Sequence, residues 1–282
     1  MIIRVIYKGN KKYDIEATII GRSIYLDHWA LREISSSLIL KPMFLDFFRN
    51  GATLMFSWAN ITDLIGQDET SSKDKVRQLI RDIGPNWYPI DWNAIAVQRR
   101  EQGFESTGQL PCFSEGFLRS YFQQVGEGGV LLEKIFEVIK KSNIEKLKVE
   151  VKRFTKEIKD IFLNEYRKDE ELFFKQNAKA IKIACAGNHL ASAVFHGLTR
   201  VLIKRNHKME DNDVNDFFHS TVASAYAGVI FLDNRWKSFL EQMPKRIPRA
   251  EIYSKTTMLD YFGKESSKAF TELIVKNQKP QR

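Results

Sequence analysis

Acidic side chains stand at both ends of one helix–strand unit in the last third of the chain. Asp213 and Asp216 lie three residues apart, which places them on one face at the start of a helix. Gly228 ends that helix, and the apolar run 229–232 is typical of a fully buried strand. Asp233 follows the strand, where open α/β sheets place their sites. Carboxylates that converge there favour a hard cation such as Mg²⁺ or Mn²⁺, which prefers oxygen ligands.

Two further acids occupy comparable positions in the first quarter of the chain. The run 23–27 predicts a short apolar strand that ends in an acid, Asp27. The run 52–57 predicts a second buried strand, and Asp63 lies in the short helix after it. The carboxyl ends of parallel strands meet at one edge, where crowded carboxylates repel one another unless a cation neutralises them. The simpler alternative is that these acids cap helices or favour a first helical turn.

Short apolar strands that alternate with amphipathic helices predict an α/β fold with a parallel sheet in three layers. Runs 2–8 and 13–20 flank a turn and predict an N-terminal β-hairpin. The middle of the chain predicts long helices, one over 144–161 and one over 172–204. Four parts are predicted along the chain. Residues 1–66 contain the hairpin and the first half of the α/β unit, and residues 206–262 contain the second half of that unit. Residues 67–205 form a mostly helical insertion between the two halves, and residues 263–282 form a basic tail.

Composition limits the classes of protein to consider. The chain has 282 residues, of which 43% are hydrophobic, so it can bury a substantial core. The net charge of +9 favours a polyanionic partner, but the charges of both signs are interspersed. Two cysteines, Cys112 and Cys185, support neither a disulfide framework nor a cysteine zinc site. No apolar run approaches the ~20 residues of a membrane span, so we expect a cytoplasmic protein without a membrane partner.

Cationic residues after residue 70 are candidates for contact with nucleic acid. Aromatic side chains beside arginines can stack bases, and Trp87, Tyr88 and Trp92 precede two arginines. The alternative is that these aromatic residues belong to the local core. The predicted nucleic-acid-binding residues are Lys75, Arg77, Arg81, Arg99 and Arg100.

Three stretches of the chain resemble the PIN-like nuclease family. They are SIYLDHWALREIS, TLMFSWANITDLIG and NDVNDFFHSTVASAYAGVIFLDNRW, and the resemblance covers 20–66 and 206–262. The sequence departs from the family pattern at Leu232, where a small hydroxyl residue usually precedes the last acid, and at Gly228, where related sequences often carry an acid. A glutamate is also more usual at the position of Asp63, and the insertion over 67–205 is much longer than in a compact PIN domain. The residues that take the family's catalytic positions are Asp27, Asp63, Asp216 and Asp233, with Asp213 as an accessory acid.

The resemblance implies a PIN-like fold and a metal-dependent endonuclease. The expected cofactor is Mg²⁺ or Mn²⁺, and the expected substrate is RNA in preference to DNA. PIN-like domains often serve as toxins or defence nucleases, so the resemblance also leaves two assemblies as alternatives: a complex with an inhibitory protein partner, or a homo-oligomer. His219, one turn after Asp216, would approach a phosphate or orient a neighbour. The rival function is a PIN-like scaffold or nucleic-acid-binding module without catalysis. The residues expected to hold the metal are Asp27, Asp213, Asp216 and Asp233.

Overall fold

Five parallel strands form the central sheet of the protein. The computed structural model describes residues 3–9, 12–57, 60, 70–104, 109–119, 132–134, 144–161, 165–210 and 212–265. In chain order the strands are β1 (Ile3–Gly9), β2 (Lys12–Ala17), β3 (Ser23–Leu26), β4 (Thr53–Ser57), β5 (Trp87–Ile90), β6 (Val229–Phe231) and β7 (Glu251–Tyr253). The sheet has the order β5-β4-β3-β6-β7, and every neighbouring pair is parallel. The predicted α/β fold with a parallel sheet is therefore confirmed.

Helices pack in two groups, and together with the sheet they make three layers. In chain order the helices are α1 (His28–Ser36), α2 (Leu40–Arg49), α3 (Thr70–Ile83), α4 (Ala94–Glu101), α5 (Ile144–Ile161), α6 (Glu170–Ala186), α7 (Leu190–Lys204), α8 (Asp213–Tyr226) and α9 (Asn234–Glu241). One group contains α1, α2 and α3, and the other contains α4, α7, α8 and α9. A 3₁₀ turn lies at Leu132–Lys134, and residues 255–265 are helical.

The central strands are buried along their whole length. Every residue of β3, β4 and β6 is buried, so none of these strands has a side that faces solvent. This pattern is expected for a parallel sheet covered by helices on both faces. None of the helices that the structure describes combines the length and apolar character needed to cross a bilayer.

The predicted N-terminal hairpin is present. β1 and β2 pair antiparallel and form a two-stranded sheet separate from the central one. Ile15 on β2 is buried and belongs to the main hydrophobic core. The hairpin is thus attached to the α/β unit through an apolar contact.

The segment assigned from sequence to a helical insertion contributes to the central sheet. β5 lies within it and pairs with β4 over Leu54↔Trp87 to Ser57↔Ile90. Pro89 lacks a backbone N–H, and β5 is an edge strand, where that absence is tolerated. The α/β unit therefore includes residues 70–101, and the helices outside it begin later than predicted.

The single helix predicted over 172–204 is two helices. α6 ends at the C-cap Gly187, and Asn188 adopts a positive φ of 55° before α7 begins. Asn is among the residues that tolerate this left-handed conformation best. The break allows α6 and α7 to fold back on one another, which the Asn177 side chain secures by donating to the His196 carbonyl at 2.9 Å.

Candidate functional site

The strand order reverses between β3 and β6, which makes this pair the switch point of the sheet. Open α/β sheets bind ligands in the crevice at the carboxyl ends of the strands at such a point. Asp27 follows β3 directly, and its backbone N–H donates to the Phe231 carbonyl at 3.1 Å. Asp233 follows β6 by two residues. The two acids therefore lie on neighbouring chains at the same end of the sheet.

Asp27 is the N-cap of α1 and is only 6% exposed. Its Oδ1 accepts from the His28 backbone N–H at 2.7 Å and contacts His28 Nδ1 at 3.1 Å. Burial acts to raise the pKa of Asp27, but the hydrogen bond from His28 and the nearby His219 outweigh it, so the pKa is lowered. Asp27 is therefore ionised at neutral pH. Its charge stabilises the fold above the ordinary value of 3.8, and this contribution is lost as the pH falls through the lowered pKa.

Asp233 responds electrostatically to two other acids. Its Oδ1 caps α9 by accepting from the Trp236 backbone N–H at 2.8 Å. Burial raises the pKa of Asp233, and the carboxylates of Asp27 and Asp216 raise it further, against the lowering effects of the Trp236 N–H and Arg235. Asp27 and Asp216 thus both lie within electrostatic range of Asp233 and repel its charge. We call Asp27, Asp216 and Asp233 the acidic edge.

Asp216 is held from both sides by side chains of α8 and α9. Its Oδ1 lies 3.1 Å from His219 Nε2, and its Oδ2 accepts from Trp236 Nε1 at 3.1 Å. Its side chain remains 27% exposed. Trp236, buried on the first turn of α9, therefore fixes the start of α8 beside Asp233.

A buried imidazole connects Asp216 to the sheet. His219 Nδ1 lies 3.2 Å from the hydroxyl of Tyr25, and both residues are buried. An ionised Asp216 only accepts hydrogen bonds, so Nε2 carries a proton, and Nδ1 of a neutral imidazole then accepts from Tyr25. Tyr25 lies on β3 two residues before Asp27, the N-cap of α1. Of the two roles predicted for His219, the structure shows the orienting one.

Asp213 is buried, and both of its carboxylate oxygens lie close to protein groups, Oδ1 in an ion pair that lacks hydrogen-bond geometry. It is 1% exposed, and its Oδ1 lies 2.6 Å from a guanidinium nitrogen of Arg235. Its Oδ2 lies 3.0 Å from His207 Nε2 and accepts from the Glu210 backbone N–H at 2.8 Å. Arg235 also approaches Asp216 Oδ2 at 3.6 Å. Asp213 therefore acts on the acidic edge through Arg235, which it anchors.

Asp63 lies outside the described residues, but the strand that precedes it ends close to the site. Asn60 is buried, and its Oδ1 accepts from both the backbone N–H and the hydroxyl of Ser57. Its side-chain amide donates to the Leu26 carbonyl at 2.8 Å. Asn60 thus ties the carboxyl ends of β3 and β4 together, a role that the sequence analysis did not assign to it.

Comparisons with known proteins do not place this site in a family. The chain matches no family model, no curated protein and no solved structure. Within the part of the chain that the structure describes, no group of three or more His, Cys, Asp or Glu residues is arranged to hold a metal ion.

Leu232 and Gly228, which depart from the family pattern, flank β6 on either side. Leu232 is buried, and its backbone N–H donates to the Tyr253 carbonyl at 3.0 Å. Gly228 precedes β6, where its N–H donates to Ser23 at the opposite end of the strands from Asp233. A side chain at position 228 would therefore not reach the acidic edge.

Arg100 has an internal role rather than the predicted contact with nucleic acid. Its guanidinium donates to the carbonyls of Pro111 and Phe113 and pairs with Asp91, and its side chain is only 9% exposed. It holds the segment 110–114 against β5. The other four predicted cations lie on the surface of α3 and α4. Arg77 contacts Asp74, and Arg81 contacts Gln78.

The aromatic residues proposed to stack bases divide between core and surface. Trp87 and Tyr88 are fully buried in β5, which confirms the core alternative for them. Trp92 is partly buried, with its ring 5.9 Å from that of Phe218 on α8.

Proposed function

We propose that the protein is a PIN-like, metal-dependent nuclease that hydrolyses phosphodiester bonds. The observation that carries the proposal is the acidic edge, which lies at the switch point of the sheet. There the carboxylates of Asp27 and Asp216 raise the pKa of the Asp233 carboxyl. Mutual repulsion of this kind lowers stability unless a cation offsets it. The order of the acids along the chain and the order of the strands both support this function.

The chemical type of the donors, rather than their arrangement, supports a hard divalent cation. Every candidate ligand is a carboxylate oxygen, the type that Mg²⁺ and Mn²⁺ prefer. Oδ1 of Asp27 and Oδ1 of Asp233 cap helices, whereas the Oδ2 atoms accept no hydrogen bond from any residue that the structure describes. When bound, such a cation neutralises the acids, polarises a phosphoryl oxygen and lowers the pKa of a bound water.

The side chains around the acidic edge supply the rest of the chemistry. His219 and Trp236 fix the carboxylate of Asp216, so its oxygens cannot rotate freely. Arg235 is 41% exposed beside Asp216 and has donors left over after its contact with Asp213. Its guanidinium would bind a non-bridging phosphoryl oxygen of the substrate, since arginine matches phosphate geometry. These groups would hold the scissile phosphate in line with an attacking water.

A cleavage assay tests the function. Labelled single-stranded RNA and DNA would be incubated with the purified protein in Mn²⁺, in Mg²⁺ and in a chelator. We expect cleavage that requires a divalent cation and disappears in Asp216→Asn. RNA is favoured over DNA by the family resemblance alone, so both substrates belong in the assay. Intact substrate under every metal condition would overturn the proposal.

A scaffold without catalysis is the second candidate. It is favoured by the engagement of Asp213 and Asp216, whose four carboxylate oxygens all contact protein donors. Acids held in this way stabilise the start of α8 without any ion. In the same assay a scaffold would bind nucleic acid tightly and leave it uncut.

A further inference from the structure

The stretch between Glu171 and Glu210 contains no acidic residue. It carries seven Lys and Arg residues, so most of the chain's net charge of +9 resides on it. The stretch is made of α6 and α7, which pack closely on one another. Acids and bases are interspersed elsewhere in the chain, and no other stretch of this length lacks an acid, so this concentration of one sign is a local property of the helix pair.

Six of the seven cationic side chains are exposed. Three of them lie on α6 at spacings of four and three residues, which aligns them along one face of the helix. The other three stand at the end of α7 and just after it. The seventh, Arg200, is part-buried over the ring of Phe174 at 4.8 Å and supports the packing of the two helices. We name the six exposed residues the basic face: Lys175, Lys179, Lys182, Lys204, Arg205 and Lys208.

The basic face lacks the ion pairs found on other surfaces. Lys41 pairs with Asp82, Lys237 with Glu241 and Lys255 with Glu33. Among the described residues, no carboxylate forms an ion pair with any member of the basic face. Six uncompensated cations on two adjoining helix surfaces produce a positive field that attracts a polyanion.

The basic face approaches the acidic edge through α9. The Arg205 guanidinium lies 5.7 Å from the centre of the Phe239 ring, and His207 packs on the same ring. His207 also contacts Asp213, which holds Arg235 next to the acids. The six residue steps from Asp233, the N-cap of α9, to Phe239 advance only about 9 Å along the helix. A chain bound on the basic face would therefore reach the acidic edge within a few nucleotides.

We propose that the basic face binds the phosphodiester backbone of a single-stranded nucleic acid and directs it to the acidic edge. This inference rests on the proposed nuclease function and names the surface that holds its substrate. The lysines of α6 form a single file, which suits one sugar–phosphate strand rather than the two strands of a duplex. Lysine contacts phosphate as a point charge, so the binding is expected to be independent of base sequence.

Binding measured without cleavage tests this proposal. Fluorescence anisotropy of labelled oligouridylate and oligodeoxythymidylate would be recorded in a chelator, with the full-length protein and with a Lys175→Gln, Lys179→Gln, Lys182→Gln variant. Glutamine keeps the helix propensity of these exposed positions. We expect the triple variant to bind at least about tenfold more weakly, with the logarithmic salt dependence reduced by about 2, because each phosphate contact on a single strand contributes ~0.7.

A matched control removes the same charge from other surfaces. The variant Lys152→Gln, Lys156→Gln, Lys245→Gln changes three exposed lysines outside the basic face and should bind like the unaltered protein. Equal affinity of the α6 variant and the control would overturn the proposal. Tighter binding to a duplex than to either single strand would also overturn it, as would capture by phosphatidylserine vesicles without binding of the oligonucleotides.

The outcome is separable from that of the nuclease proposal. Asp216→Asn should bind the oligonucleotides normally in the chelator, because it leaves the basic face intact. If the protein binds through the basic face but never cleaves, only the nuclease function fails. If it cleaves but the α6 variant binds and cleaves normally, only this inference fails.

Discussion

Replacing Asp27 with Asn is expected to lower the kcat/KM for RNA cleavage at least about 100-fold, more than the 10- to 100-fold typical of an outer-shell partner. The reason is the loss of one negative charge and one ligand oxygen from the acidic edge. The fold should survive, because the Asn side chain keeps an oxygen that can accept from the His28 backbone N–H and cap α1. The measurement is the initial rate of cleavage in saturating Mn²⁺, with circular dichroism to confirm the helical content.

Asp169→Asn is the matched control for this substitution. Asp169 caps α6 in the same way, with its Oδ1 accepting from the Leu172 backbone N–H at 3.0 Å, and it lies outside the acidic edge. Its replacement should leave the cleavage rate within about twofold of the unaltered protein, since an Asp-to-Asn change preserves the cap. An Asp27→Asn variant that keeps more than about a tenth of the activity would contradict a role for Asp27 in catalysis.

Replacing Glu101 with Ala is expected to cost about 3 kcal/mol of the free energy of unfolding. The carboxylate accepts from the backbone N–H groups of Ala191 and Ser192 at 2.6 and 3.0 Å, and from the hydroxyls of Ser192 and Tyr226 at 2.9 and 2.7 Å. It thereby caps α7, whose own N-cap residue makes no side-chain bond. An anion at a helix N-terminus is also favoured by the helix dipole.

The loss of free energy of unfolding should depend on the charge of Glu101 as well as on its hydrogen bonds. Urea denaturation of two variants can separate these contributions. Glu101→Gln keeps an acceptor oxygen and should cost less than Glu101→Ala. Glu115→Ala removes a surface partner of Arg119 and should cost under about 0.5 kcal/mol. The contact with Tyr226 joins α4 to the end of α8, the helix that carries Asp216, so lower activity should accompany the lower stability. A loss below about 1 kcal/mol in Glu101→Ala would contradict this account.

The strands β3, β4 and β6 could be predicted because short, continuous apolar runs are typical of strands that are buried on both faces. The runs at β3, β4 and β6 are short, continuous and largely apolar, and an acid follows β3 and β6 within two residues. The sequence pattern predicts no strand at β5 because Pro89 argues against one. Its place at the sheet edge depends on pairing with β4, which is a tertiary contact that no local pattern records.

The acids of the site were predictable from their positions, whereas two of the residues that hold them were not. Asp27 and Asp233 follow apolar strands, and this signal is visible in the chain. Tyr25 and Trp236 are residue types common in any core, and only the three-dimensional contacts show that Trp236 holds Asp216 directly and that Tyr25 does so through His219. The sequence pattern assigns no role to the basic face, because the helix period reveals exposure but not the lack of neighbouring acids in space.

The central claim is that the acidic edge holds a divalent cation, and the unfolding temperature of Asp233→Asn with and without Mn²⁺ tests it most directly. Since the pKa of Asp233 is raised above 3.8, its charge lowers stability at neutral pH, and that cost fades as the pH falls toward 3.8. Asn retains the cap on α9 and removes the repulsion. Without metal the variant should therefore unfold about 2 °C higher, for a gain of about 1 kcal/mol.

Adding Mn²⁺ should reverse that order at neutral pH. Saturation to about 100 times the dissociation constant stabilises the unaltered protein by about 2.7 kcal/mol, and the variant should gain much less because a ligand is missing. We therefore expect the unaltered protein to unfold at the lower temperature without Mn²⁺ and at the higher temperature once Mn²⁺ is saturating. Equal shifts of both proteins, or no shift of either, would contradict it.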